Sequence, residues 1–74
     1  MIPAKHRPEW RQLLTGTEQH PFKFLALKLV MRRLKSRIEA DPSSGVLDAC
    51  IDELHQFATE NEKFVANDLA AVFN

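Results

Sequence analysis

One cysteine, two glycines and no tyrosine stand among the 74 residues, and each scarcity closes off a class of protein. The single Cys50 cannot form an internal disulfide or a multi-cysteine zinc site within one chain, so a reducing, cytoplasmic setting is expected. Gly16 and Gly45 are too few for a phosphate-binding loop or a dinucleotide fingerprint, and no Ser-centred elbow occurs. No apolar run approaches the roughly 20 residues that span a bilayer. The most apolar stretch, FKFLALKLVMRRLKSRIEAD from 22 to 41, is interrupted by Lys23, Lys28, Arg32 and Arg33. The opening MIPAKHRPEWRQ has prolines, a histidine and charges where a secretory signal has its apolar centre, so no targeting peptide is expected.

What is present reads as a globular chain, 45% hydrophobic and 27% charged. Its length allows one domain, 1–74, near the lower size at which a single core holds a fold without metals or disulfides. Residues 1–7 are expected to be extended or mobile. Net charge is zero, but the halves differ. Residues 1–38 hold nine of the ten Lys and Arg against Glu9 and Glu18, and residues 39–74 hold Lys63 alone against eight acids. The asymmetry serves either an anionic partner or mutual neutralisation when the halves pack.

Apolar spacing predicts helices. Pro8 suits a first turn, Trp10, Leu13 and Leu14 share one face, and Gly16 is placed for a left-handed cap. His20 and Pro21 look like the N-cap and first turn of a second helix, in which Phe24, Leu27, Met31, Leu34 and Ile38 form one stripe. Phe22, Leu25 and Leu29 fall on another side, which either covers Trp10, Leu13 and Leu14 or meets another subunit. ADPSSG, 40–45, is a loop, short enough to make its neighbours antiparallel. Beyond it Leu47, Cys50, Ile51, Leu54, Phe57 and Ala58 share a face, with Asp48, Asp52, Glu53, His55 and Gln56 outside. Thr59 and Glu62 have capping-box spacing, which favours a fresh helix carrying Phe64, Val65, Leu69, Val72 and Phe73 over one continuous helix.

Chemistry is sparse. Asp48, Asp52 and His55 share a helical face, yet a bundle metal site needs further carboxylates on other helices. Cys50 lies in the apolar register with His55 turned elsewhere, and His6 and His20 lack spaced partners. A chain this small has little room for an enclosed pocket of about 300 Å³ or more. No catalytic, cofactor or metal residue is therefore assigned, and no enzyme is expected.

These readings converge on an all-α fold, a small antiparallel bundle of three main helices preceded by a short N-terminal one. The expected role is a non-enzymatic protein-interaction module, an adaptor, regulatory subunit or inhibitor that masks a partner protein's surface. Partner contacts are expected from Phe22, Leu25, Leu29, Arg32, Arg33, Phe64 and Phe73, and the excess apolar surface predicts a homodimer. The alternative is a helical nucleic-acid-binding regulator contacting phosphates through Arg11, Lys28, Arg32, Lys35 and Arg37. Against it, the basic stripe of the second helix would lie beside Asp48, Asp52 and Glu53 in a hairpin that brings Leu34 near Cys50 and Met31 near Leu54.

Overall fold

The computed structural model describes the backbone of residues 7–17 and 20–73 and the side chains of 9–17 and 20–70. Over that range the chain forms four helices and no strand: α1 (Arg7–Thr15), α2 (Leu25–Ala40), α3 (Ser44–Glu60) and α4 (Glu62–Phe73). The radius of gyration, 11.4 Å, is that of a folded chain of this length, about 11 Å. Among the described residues no helix is long and apolar enough to cross a membrane.

α1 is too short to stand alone in water and holds by docking. Trp10, Leu13 and Leu14 are buried, and α1 packs on both α3 and α2. Trp10 meets the ring of His55 on α3 edge-on, with centroids 6.3 Å apart and planes at 75°. His55 thus belongs to the α1–α3 seam and not to an outer acidic face.

Gly16 ends α1 for a different reason from the expected left-handed cap. No described glycine has a positive φ. The Gly16 amide donates to the Gln12 carbonyl at 2.8 Å, and a Cβ at Gly16 would stand 2.8 Å from that same oxygen. Close approach to backbone, not handedness, requires glycine here. The Thr15 hydroxyl donates to the Arg11 carbonyl at 2.8 Å one turn back.

α2 begins five residues after His20, and the cause lies far away in the chain. The amide of Lys23 donates to both carboxylate oxygens of Asp68 at 3.1 Å, and that of Phe24 donates to Asp68 Oδ2 at 3.0 Å. Phe24 is the N-cap residue, in extended conformation, and its own side chain offers no acceptor. A carboxylate from α4 therefore fixes the two residues that lead into α2, and its charge lies beside the positive end of the α2 dipole. With residues 20–24 outside the helix, Phe22 is carried into the core, 5% exposed, rather than onto a second helical face.

The turn between α2 and α3 caps both ends. The Asp41 amide closes α2 on the Arg37 carbonyl, the Asp41 carboxylate accepts from the Ser43 amide, and Ser43 Oγ accepts from Val46 N at 3.4 Å as the N-cap of α3. Gly45 sits inside the first turn of α3 with ordinary φ and open space where a Cβ would stand. Gly45→Ala should stabilise the protein by about 0.4–1 kcal/mol, by removing unfolded-state freedom without a clash. A thermal melt reads it; a lower midpoint would mean that α3 does not include this residue.

α3 and α4 are separate helices, broken at Asn61. The Asn61 amide and side-chain Nδ2 both donate to the Phe57 carbonyl, at 3.0 and 2.9 Å, and its carbonyl accepts from Phe64 and Val65. The expected capping box is not formed: Thr59 lies inside α3 and its hydroxyl has no partner.

The core runs through all four helices. α2 contributes Leu27, Met31 and Leu34, α3 contributes Cys50, Ile51, Leu54 and Ala58, and α4 contributes Val65 and Leu69. Leu47, expected to be buried, is only half-buried at the near end of α3. Cys50 Sγ faces the Leu34 carbonyl at 3.9 Å, one of the two α2–α3 pairings expected. A buried thiol there acts as a small apolar group with a weak donor.

Candidate functional site

α2 presents different chemistry on different sides because its core stripe occupies only part of its circumference. On its outer side Leu25 and Leu29, one turn apart, are 65% and 51% exposed. At the same end of the molecule, the Phe24 ring stacks on Phe57 of α3 and on Phe64 of α4, with centroids 6.2 and 5.4 Å away and planes within 24°. Phe64, 62% exposed, is the outermost of the three. Offset stacking of this kind fixes ring positions and adds about 0.5–1.5 kcal/mol per pair beyond burial. The result is a preordered aromatic edge that the sequence pattern did not reveal, since its members come from three segments.

Of the expected partner-contact residues, Leu25, Leu29 and Phe64 are thus exposed. Phe22 is corrected to core, and the side chain of Phe73 lies outside the described residues, as does that of Val72. Arg32 is exposed. Arg33 is committed internally: it and Arg37 both pair with Glu53 of α3, Arg37 at 3.3 Å. Part of the expected neutralisation of basic α2 by acidic α3 therefore passes through Glu53. All three side chains are well exposed, so each pair contributes only about 0–1 kcal/mol, orienting the helices more than stabilising them.

The five expected nucleic-acid contacts do not form one surface. Arg37 faces Glu53, and Arg11 is exposed on α1. Lys28, Arg32 and Lys35 instead line a groove of about 740 Å³ between the end of α1 and one side of α2, open to solvent along its length. Its floor is Leu14, Phe22 and Met31, and its opposite wall includes Gly16, Thr17 and His20. The expectation of little room misses this cleft, which lies where residues 20–24, outside any helix, pass from the end of α1 to the start of α2. Lys35 Nζ donates to the Gly16 carbonyl at 3.2 Å, tying α2 to the last turn of α1. Lys28 and Arg32 have no acidic partner among the described residues.

Asp48, Asp52 and His55 are not brought together as a ligand set. Among the described residues no three His, Cys, Asp or Glu side chains are grouped to hold a metal ion. His55 packs on Trp10 with its Nδ1 buried, while Asp48 and Asp52 are exposed. Cys50 is directed at Leu34, away from any base. The described residues thus present a surface geometry, with exposed Leu25 and Leu29 beside the cations Lys28 and Arg32 on adjoining strips of α2. No family model, curated protein or solved structure matches the chain.

Proposed function

We propose that this chain is a small non-enzymatic protein-interaction module, acting in the cytoplasm as an adaptor, regulatory subunit or inhibitor that covers a partner protein's surface. The observation that carries the reading is the exposure of Leu25, Leu29 and Phe64 around a core that closes without them. A small soluble protein seldom leaves large apolar side chains exposed beside an ordered aromatic stack without a use for them. Aromatic and branched apolar groups held in place lose little entropy on binding, which suits an interface centre. α2 and α3 are read as an antiparallel hairpin, supported by Leu34 meeting Cys50 and Phe24 meeting Phe57, so that progress along one helix runs back along the other. The whole of 1–74 is read as one domain.

The first occupant proposed for the apolar edge is a second copy of the chain, because a twofold interface buries the same patch on both subunits. Sedimentation across micromolar concentrations should show a dimer for the wild type. Leu25→Asp combined with Leu29→Asp should give a monomer that melts with the wild type diluted to its monomeric range, since both residues lie outside the core. A wild type that is monomeric throughout removes the dimer and leaves the edge to a different protein. A double variant that melts earlier than the diluted, monomeric wild type would place these residues in the fold rather than the interface.

A nucleic-acid reading, with Arg37 paired to Glu53, is left with Arg11, Lys28, Arg32 and Lys35. It predicts binding that weakens steeply with salt. No binding of duplex or single strands at low salt excludes it.

A further inference from the structure

We propose that a second copy of this chain is recognised by a reciprocal contact, in which Phe64 of each copy enters the hollow between α2 and α3 of the other and Arg33 of each meets Glu60 of the other. It rests on the homodimer reading and adds to it the face and the contacts that select a second copy.

Knob and hole lie on one face. Val30, Arg33, Glu53, Gln56, Phe57 and Glu60 line a hollow of about 250 Å³ at the α2–α3 seam, open to solvent. Val30 and Phe57 are half-buried and packed against the core, which makes the apolar side of the hollow firm. Leu25, Leu29 and Arg33 follow one another at one-turn intervals on α2, and Val30 lies one position beyond Leu29, so the apolar edge runs into the hollow. Phe57 carries the face on toward Phe64, because the Phe24 ring stacks on both. Phe64 stands out from this surface at 62% exposure, its ring held 5.4 Å from that of Phe24. An ordered aromatic ring is a frequent anchor of interfaces, and it needs a desolvating hole in the partner. A twofold axis supplies that hole twice, since a contact from one residue to another is repeated in the opposite sense. A different protein would have to bring both a knob and a hole at the same spacing.

Charge selects the same partner. Arg33 and Arg37 share one acid, Glu53, at the α2 side of the hollow. Glu60, on the α3 side, meets no cation among the described residues, and its Oε1 accepts from Gln56 Nε2 at 3.1 Å. Two cations and two acids sum to zero, so a partner of a single sign would be drawn to one wall and repelled by the other. A copy related by a twofold sets the α2 wall of each chain against the α3 wall of the other. The Arg33 guanidinium has five N–H donors, enough to hold Glu53 and the incoming Glu60 together.

The test exchanges the charges. Sedimentation across micromolar concentrations should show a wild-type dimer, weakened about tenfold or more by Arg33→Glu and by Glu60→Arg, each of which sets like charges against each other across the axis. Mixed in equal amounts, the two variants should recover a dimer, because both pairs across the axis are again opposite in sign. In wild-type protein with half of the chains isotope-labelled, filtered NOEs should join the Phe64 ring of one copy to the Val30 methyls of the other. Phe64→Ala should weaken dimerisation about tenfold or more. A monomeric wild type overturns this inference together with the homodimer. A wild-type dimer whose affinity neither charge change alters, folded variants that stay monomeric on mixing, or filtered NOEs that do not reach Val30 overturn this inference alone and leave the dimer to Leu25 and Leu29. If a charge variant fails to fold, the filtered NOE on wild-type protein decides.

Discussion

Leu34→Ala and Leu54→Ala each lose about 2–5 kcal/mol of stability, read as an earlier midpoint in chemical denaturation with the slope of the transition kept. Both side chains are fully buried, Leu34 at the centre of α2 and Leu54 at the centre of α3. Removing three carbons there forfeits transfer energy and leaves a cavity that surrounding helices fill only in part. A domain of 74 residues has about 4–11 kcal/mol in total, so either change consumes a large share of it. Leu29→Ala, on the outer side of α2, is the internal comparison and should lie within about 0.5 kcal/mol of wild type. If Leu54→Ala and Leu29→Ala denature together with the wild type, the packing of α3 against its neighbours is wrong.

Asp68→Ala should cost about 1–3 kcal/mol and do so locally. One carboxylate receives three hydrogen bonds, two from Lys23 N and one from Phe24 N, at 3.0–3.1 Å in partly buried surroundings. Without it those amides lose their partner and the start of α2 loses the anion that complements its dipole. Asp68→Asn keeps an acceptor oxygen without the charge and should fall between wild type and alanine. The distinguishing measurement is amide exchange. Protection should fall at Lys23, Phe24 and the first turn of α2 and persist at Leu34 and Leu54. Uniform loss of protection would make Asp68 an ordinary core contributor, and unchanged protection at Phe24 would exclude the cap.

The difference between these two sites marks what could be read in the sequence. The stripe through Leu27, Met31 and Leu34 and the one through Cys50, Ile51 and Leu54 announce themselves by periodicity, because burial on a helix repeats with its turn. Trp10, Leu13 and Leu14 follow the same rule, and a loop is written in Pro42 and Ser43, though it spans only 41–43 because Ala40 belongs to α2 and Ser44 and Gly45 to α3. The start of α2 follows no local rule. The amides of Lys23 and Phe24 that lead into it are satisfied by a residue 44–45 positions away, and nothing around His20 carries that information. The burial of Phe22 has no local signal either, since it depends on the non-helical path into α2 that Asp68 holds at Lys23 and Phe24.

The candidate site was legible to the same degree. Leu25 and Leu29 stand out as apolar residues off the main stripe, and Lys28 and Arg32 as cations on one side. That Arg33 and Arg37 are taken by Glu53 while Lys28 and Arg32 are not is a matter of which side of α2 faces α3. The stack of Phe24 on Phe57 and Phe64 joins three segments and has no signature in any of them.

The reach of the Asp68 contact also sets an order in time. Helical turns form from neighbouring residues within about a microsecond, but bringing Lys23 to a carboxylate 45 residues downstream has to wait for the intervening helices to pack. During synthesis the wait is far longer: at about 5–20 residues per second, Asp68 is added roughly 2–9 s after Lys23. Throughout that interval the entry to α2 lacks its acceptor, and Phe22 and Phe24 lack the carboxylate that holds their backbone in place. The entry to α2 is therefore the last part of this fold to close, although it lies in the first third of the chain.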